Sequence, residues 1–294
     1  MMDAFWIILT GSLIASSCAI VGSFLVLRKM AMLGDAISHA VLPGIVLAFL
    51  FTASRSPVPM LIGAGLVGLL TSFVIETLHR HGKLQQDASI GVTFTWLFAV
   101  GVILVSLFAG QVDLDQECVL YGEIAYVPLD VWIVGGTSLG PTAVWTGGVV
   151  LLGVIAVVYL GFKELTITSF DPSMATSLGI SSQSWHYVVM SLVSLVTVAA
   201  FESVGAILVV AMLIVPGATA YLFARSLKEM ILLSVAAGVS AAAGGYMLAA
   251  GTNGSIAGSM SVVAGVIFVA SLVAAPGSSL SRWRTRIPAP DSVS

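Results

Sequence analysis

The chain has 294 residues, of which only 25 are charged: 11 Lys plus Arg and 14 Asp plus Glu. That is 9%, where a soluble domain has roughly 25%, and apolar residues make up 58%. So few charges could not cover the surface of a soluble fold of this length. The composition therefore excludes a soluble enzyme, a disordered protein and a nucleic-acid binder, which would need a basic stripe. It requires a helical protein that crosses a membrane several times.

Nearly uncharged stretches of about 20 residues, enough to cross a bilayer as a helix, follow one another along the chain. They are 4–27, 31–53, 58–78, 88–110, 143–162, 185–202, 204–224, 230–250 and 256–276. We therefore predict an all-α membrane protein with about nine transmembrane helices. Eight is the alternative, if 185–224 does not form a full hairpin of two spans.

The basic residues orient the predicted spans, because cytoplasmic loops of membrane proteins are enriched in Lys and Arg. With nine spans, ten of the 11 basic residues fall on one side of the membrane and only Arg55 falls on the other. The ten are Arg28, Lys29, Arg80, Lys83, Lys163, Arg225, Lys228, Arg282, Arg284 and Arg286. The N-terminus is then outside and the C-terminus inside. Residues 1–280 would form a single transmembrane domain, and 281–294 a basic and then disordered cytoplasmic tail.

Two ionisable residues of the second span could bind a metal ion. Asp35 and His39 are four residues apart and share one helix face, and His39 would lie about 16 Å along the helix from Arg28, near the middle of the bilayer. Oxygen and nitrogen ligands suit divalent first-row metals. Ser38 and Glu202 are further candidates, although Glu202 is better explained as a cap or a surface carboxylate. The alternative is an Asp–His pair that only locks two helices.

The second span should bend beside this pair, because Pro43 cannot donate to the carbonyl of His39. Its small residues would let another helix, or the same helix of a second chain, approach closely. These residues are Gly34, Ala36, Ser38, Ala40 and Gly44. A two-fold dimer about this span would bring together two carboxylates and two imidazoles.

The longest cytoplasmic loop is expected to contain a short helix, over about 171–179. Asp171 is a good N-cap, Pro172 suits the first helical position, and Gly179 suits a C-terminal stop. Met174 and Leu178 would then lie on one face. Such a helix could dock in a groove on a soluble partner, or lie on the membrane surface.

Four segments together resemble the permease subunits of the manganese/zinc/iron ABC importers. They are residues 27–44, 87–91, 170–179 and 204–220, and the likeness runs over about 4–276. The resemblance implies a type II ABC importer-like bundle in a bacterial cytoplasmic (inner) membrane. A second permease, identical or paralogous, would pair with this one. Two cytoplasmic ATP-binding subunits and an extracytoplasmic solute-binding protein would complete the complex.

The resemblance also assigns roles to residues of this chain. Asp35 and His39 would line the translocation path, and the segment over 171–179 would contact the ATPase. The matching residues of that segment are Asp171, Pro172, Met174, Ala175, Leu178 and Gly179. The divalent ion (manganese, zinc or iron) would be the transported substrate, with no permanently bound cofactor.

The sequence has no nucleotide-binding motif of its own. Its only Gly-Lys pair, at 82–83, is followed by Leu84 and not by Ser or Thr. We therefore expect a transport subunit and not an enzyme, with ATP hydrolysis on a separate chain. The alternatives are a proton-coupled secondary metal transporter or channel without an ATPase and, with less support, a membrane-embedded hydrolase.

Overall fold

The computed structural model describes residues 2–52, 57–108, 124–134 and 137–275. Within them the chain is almost entirely helical, as the composition predicts. The helices are α1 Met2–Leu27, α2 Leu33–Ala40, α3 Leu42–Thr52, α4 Pro57–Arg80, α5 Gln86–Phe108, α6 Thr142–Leu160, α7 Phe162–Phe170, α8 Pro172–Ser177, α9 Ser182–Val204, α10 Ala206–Tyr221, α11 Leu227–Thr252 and α12 Ile256–Ala274. The predicted tail over 281–294 and Arg55 lie outside the described residues.

Eight spans in the described part of the chain are long and apolar enough to cross a membrane, with α2 and α3 counted as one. The ninth predicted span, 204–224, becomes the shorter helix α10. Its 16 residues extend about 24 Å, less than a hydrocarbon layer of about 30 Å. The helix begins after Gly205, whose φ of +78° turns the chain sharply, and it ends at Tyr221. By length alone, the structure therefore has eight spans and one short apolar helix.

The short helix α10 lies at the centre of the bundle, packed against α1, α11 and α12. Its Leu208, Val209, Met212 and Leu213 are almost fully buried. A polar contact joins two of its neighbours, where Ser234 of α11 donates to the backbone carbonyl of Ala19 in α1 at 2.9 Å. Helix α9 connects this half of the bundle to α2 and α4.

The second span uses its small residues for packing within the chain. Gly34 lies against Leu213 of α10, and Gly44 meets Gly63 of α4 so closely that a Cβ on either glycine would collide with the other's carbonyl. The sequence left open whether these small residues accept a helix of the same chain or of a second one. Gly34 and Gly44 accept helices of the same chain, as small residues often do where membrane helices cross.

A β-hairpin precedes α6 and was not predicted. Strands β1 Val131–Val134 and β2 Thr137–Pro141 pair antiparallel, after a 3-10 turn at Val127–Leu129. The ring of Trp132 packs edge-on against Trp145, with centroids 5.8 Å apart. The strands of the hairpin have only 4 and 5 residues, so they do not stand out among apolar runs of about 20 residues.

Candidate metal site and coupling segment

The second span is interrupted beside the candidate metal ligands. Helix α2 ends at Ala40 and α3 begins at Leu42, with Val41 as a one-residue turn between them. Pro43 lies in the first turn of α3, where its missing N–H is tolerated. The carbonyl of His39 cannot receive a hydrogen bond from residue 43, so a polar backbone oxygen remains next to the candidate site.

Asp35 and His39 lie side by side on α2, with His39 Nε2 3.6 Å from Asp35 Oδ1. This separation exceeds a normal hydrogen bond, so both groups can bind a third partner. Their side chains are 37% and 34% exposed, respectively. Asp35 lies in the first turn of α2.

Aromatic side chains of α5 support the imidazole on one side. The ring of His39 lies 5.8 Å from that of Phe98 and 6.1 Å from that of Phe94, between ring centroids. On another side of the same helix, Ile37 is buried near Gly68 of α4. Helix α2 is thus anchored within the chain, while the face that carries Asp35 and His39 stays partly open.

Ser38, another candidate ligand, does not join this pair. Ser38 is buried, and its hydroxyl donates to the backbone carbonyl of Asp35 at 2.6 Å. The backbone of Glu202 lies near the end of α9, but its side chain is not among the described ones. Among the described residues, no group of three or more His, Cys, Asp or Glu side chains could hold a metal ion. One chain therefore offers two clustered ligands.

The short helix predicted over about 171–179 is present as α8, with the cap that the sequence predicts. Asp171 Oδ1 accepts hydrogen bonds from the backbone N–H of Met174 at 2.9 Å and the hydroxyl of Ser173 at 2.6 Å. Gly179 follows with φ +77°. The hydrogen bonds from Ser173 and Met174 lower the pKa of Asp171 below its ordinary value. The cap is therefore ionised at neutral pH and is lost only when the pH falls through that lowered pKa.

Two large apolar side chains project from this capped segment into solvent. Met174 is 54% exposed and Leu178 is 60% exposed, whereas Ala175 between them is fully buried. The helix is held in place by Ala175 and presents Met174 and Leu178 outward, an arrangement that suits insertion into a groove of another protein.

Sequence reasoning missed a buried polar group at the end of the bundle that carries most of the basic residues. Glu76 is 3% exposed and pairs with Arg80 and His186. The spacing of Glu76 and Arg80, four residues apart on one helix, was the available signal.

Comparison with known proteins gives consistent matches over nearly the whole chain. A family model described as "ABC 3 transport family" matches residues 2–275. The chain is 49% identical over 281 residues to "Manganese transport system membrane protein MntD" of Bacillus subtilis (strain 168), covering 96% of this chain and 95% of that one. It is 40% identical over 262 residues to "Zinc transport system membrane protein TroD" of Treponema pallidum (strain Nichols), covering 89% and 71%.

A solved structure shares the fold. A chain of "PsaBC from Streptococcus pneumoniae in complex with Fab" superposes with a TM-score of 0.77 at 33% identity, covering 95% of this chain and 94% of that one.

Proposed function

The chain belongs to the ABC 3 transport family, and on this premise we propose that it is the membrane-spanning permease subunit of an ATP-driven importer of divalent transition metal ions. The ion passes Asp35 and His39 at the interface of two permeases, which open in turn to either side of the membrane. The membrane is the bacterial cytoplasmic (inner) membrane.

The partly open Asp35–His39 face is the observation that carries this proposal. Ionisable groups facing lipid are costly, so they usually face a partner or a water-filled path. A second permease related by two-fold symmetry covers this face and doubles the ligand set to two carboxylates and two imidazoles. Two ionised carboxylates neutralise one divalent cation, which lowers the cost of moving it through the membrane.

The ligand chemistry suits manganese, zinc and iron alike, and similarity to known proteins favours manganese among them. Carboxylate and imidazole bind all three ions, whereas copper(I) would prefer sulfur ligands. The relatives named above carry manganese and zinc in their names, and the more similar of the two is a manganese protein. The ion is cargo, and the chain needs no permanently bound cofactor.

Energy and delivery come from partner chains. Because the sequence has no nucleotide-binding motif, a pair of ATP-binding subunits on the cytoplasmic side supplies the ATP-driven motion. Met174 of α8 and Leu178, the residue after its end, dock into these subunits. An extracytoplasmic solute-binding protein delivers the ion to the outer end of the path. ATP binding closes the ATPase pair, and α8 passes this movement to the spans.

Uptake by the reconstituted complex tests the proposal. The permease is expressed with its ATP-binding partner, inserted into proteoliposomes and supplied with the metal-loaded binding protein. We expect manganese uptake that requires ATP and is unaffected by collapse of the proton gradient. Uptake that follows the proton gradient and ignores ATP would instead support the secondary transporter.

The cap of α8 gives a second, smaller test. Asp171→Ala removes the acceptor of two hydrogen bonds, so α8 should fray and the ATPase should dissociate more easily from the permease. We expect a partial loss of co-purified ATPase and of uptake, measured on the detergent-solubilised complex. Asp171→Ser is the matched control, because serine also caps helices and should retain most of both. Equal losses in the two variants would contradict a role for the cap.

A further inference from the structure

A half-buried arginine, Arg28, joins the end of α7, which precedes α8, to the segment before α2. The guanidinium of Arg28 donates from Nη2 to Thr168 Oγ1 at 3.0 Å and from Nε to Ser169 Oγ at 3.2 Å. Its third nitrogen, Nη1, lies 3.4 Å from Nδ1 of His186. Burial lowers the pKa of Arg28 to about 10, so the side chain still carries its charge at neutral pH.

His186 extends this contact to a buried carboxylate. Because a guanidinium can only donate, Nδ1 of His186 accepts from Arg28 and the ring proton remains on Nε2. That nitrogen lies 2.8 Å from Oε2 of Glu76. Within the described part of the chain, Nε2 of His186 has no partner that meets hydrogen-bond geometry. Its contact with the Glu76 carboxylate is therefore short, but the two groups are poorly aligned for a hydrogen bond. Arg80 pairs with the other carboxylate oxygen.

The position of Arg28 in the chain gives these contacts their significance. Ser169, one of its partners, lies three residues before Pro172, where α8 begins. Arg28 itself lies seven residues before Asp35 of α2. The chain between Arg28 and α2, and between Ser169 and α8, is therefore short.

The link toward α2 is stiff. Helix α1 ends in a Schellman motif, in which Lys29 N–H bonds to Val26 O at 3.1 Å and Met30 N–H bonds to Leu25 O at 2.9 Å. Lys29 adopts the left-handed conformation, with φ +59°, and Met30 is buried. A displacement of Arg28 is therefore transmitted to the start of α2 and is not absorbed by a flexible loop.

We propose that Arg28 is a positioning residue of the transport cycle, one that carries the movement of α7 and α8 to the metal-binding helix α2. The inference rests on the proposed function, because it assumes that α8 is moved by an ATPase. A buried cluster of charged groups is a weak source of stability, whereas two alternative hydrogen-bond arrangements of such a cluster can act as a switch. The imperfect His186–Glu76 contact is one place where such a rearrangement could occur.

Variants of Arg28 separate coupling from folding. Arg28→Lys keeps the charge but loses the planar fork that reaches α7 and His186 at once. The double variant Thr168→Val/Ser169→Ala keeps Arg28 and removes its two acceptors on α7. Arg225→Lys is the matched control, because it makes the same chemical change at an exposed arginine. For each complex, manganese ions taken up and ATP molecules hydrolysed are measured in the same proteoliposomes.

We expect the ions transported per ATP to fall roughly tenfold in Arg28→Lys and in the double variant, with ATP hydrolysis and complex assembly retained. Arg225→Lys should match the wild type. An unchanged ratio in both test variants would overturn the inference. The inference would also be overturned if the variants lowered only the amount of assembled complex, while the complexes that did assemble transported the wild-type number of ions per ATP. A wild-type complex that takes up no metal would refute the proposed function instead.

Discussion

Asp35→Asn and His39→Gln are each expected to abolish metal uptake while leaving the permease assembled with its ATPase. The two side chains are the only candidate ligands that the described structure brings together. In the proposed pair of permeases two copies of each side chain line the path, so one substitution would remove half of the ligands. Loss of supporting groups alone weakens metal sites by about 10–100-fold, so loss of ligands should reduce uptake by at least about 100-fold.

The structure explains why assembly should survive these substitutions. Both side chains are partly exposed, whereas Gly34 and Ile37 of the same helix pack against α10 and α4 and hold α2 in place. Asn and Gln retain a similar size and still form hydrogen bonds, so no cavity is left. Size-exclusion chromatography and ATP hydrolysis of the purified complex would check assembly, and uptake of radioactive manganese would check transport.

Matched controls lie outside the path. Asp130→Asn repeats the Asp35→Asn change at an exposed carboxylate before the hairpin. His81→Gln repeats the His39→Gln change at an exposed imidazole after α4. Both should transport normally. Wild-type uptake in Asp35→Asn or His39→Gln would show that the ion does not pass the pair, and that the pair only locks helices.

Features that depend on neighbours along the chain could be predicted from the sequence. The shared face of Asp35 and His39 follows from helical spacing, and α8 follows from the local preferences of Asp171, Pro172 and Gly179. Such contacts span three or four residues, so they do not require knowledge of which helices meet.

Features that depend on distant parts of the chain were missed. Arg28 contacts residues about 140 positions away, so no pattern around it distinguishes it from the other basic residues that mark the cytoplasmic side. The length of α10 was overestimated because residues 222–224 are apolar enough to extend a hydropathy run, although they form a turn after the helix ends. Hydropathy measures the preference for lipid, and it carries no information on where the hydrogen-bonded helix stops.

Gly22→Ala is expected to prevent the bundle from forming. Gly22 lies where α1 crosses α10, and a Cβ there would fall on the carbonyl oxygen of Leu213, closer than real Cβ atoms ever come. Gly217 on α10 faces the same crossing, in contact with the backbone of Gly22. Relief would need the two helix backbones to separate, and overpacking of this kind costs about 3 kcal/mol or more.

The collision between an alanine at position 22 and the backbone of Leu213 should also disturb the candidate metal site. The side chain of Leu213 packs on Gly34, the residue before Asp35, so a shift of α10 at this crossing would displace α2. Any Gly22→Ala protein that did assemble should therefore transport poorly as well. The measurements are the yield of monodisperse permease in detergent and its midpoint of thermal unfolding.

Two further variants separate a backbone collision from a general effect of replacing glycine. Gly153→Ala in α6 adds the same methyl group where no atom lies within 4 Å, and alanine favours a helix over glycine by up to about 1 kcal/mol. That protein should be at least as stable as the wild type. Adding Leu213→Ala to Gly22→Ala should not restore folding, because the obstacle is a main-chain oxygen that every residue at 213 carries. Rescue by the shorter side chain, or a normal yield of Gly22→Ala alone, would show that α1 and α10 are not held in this close contact.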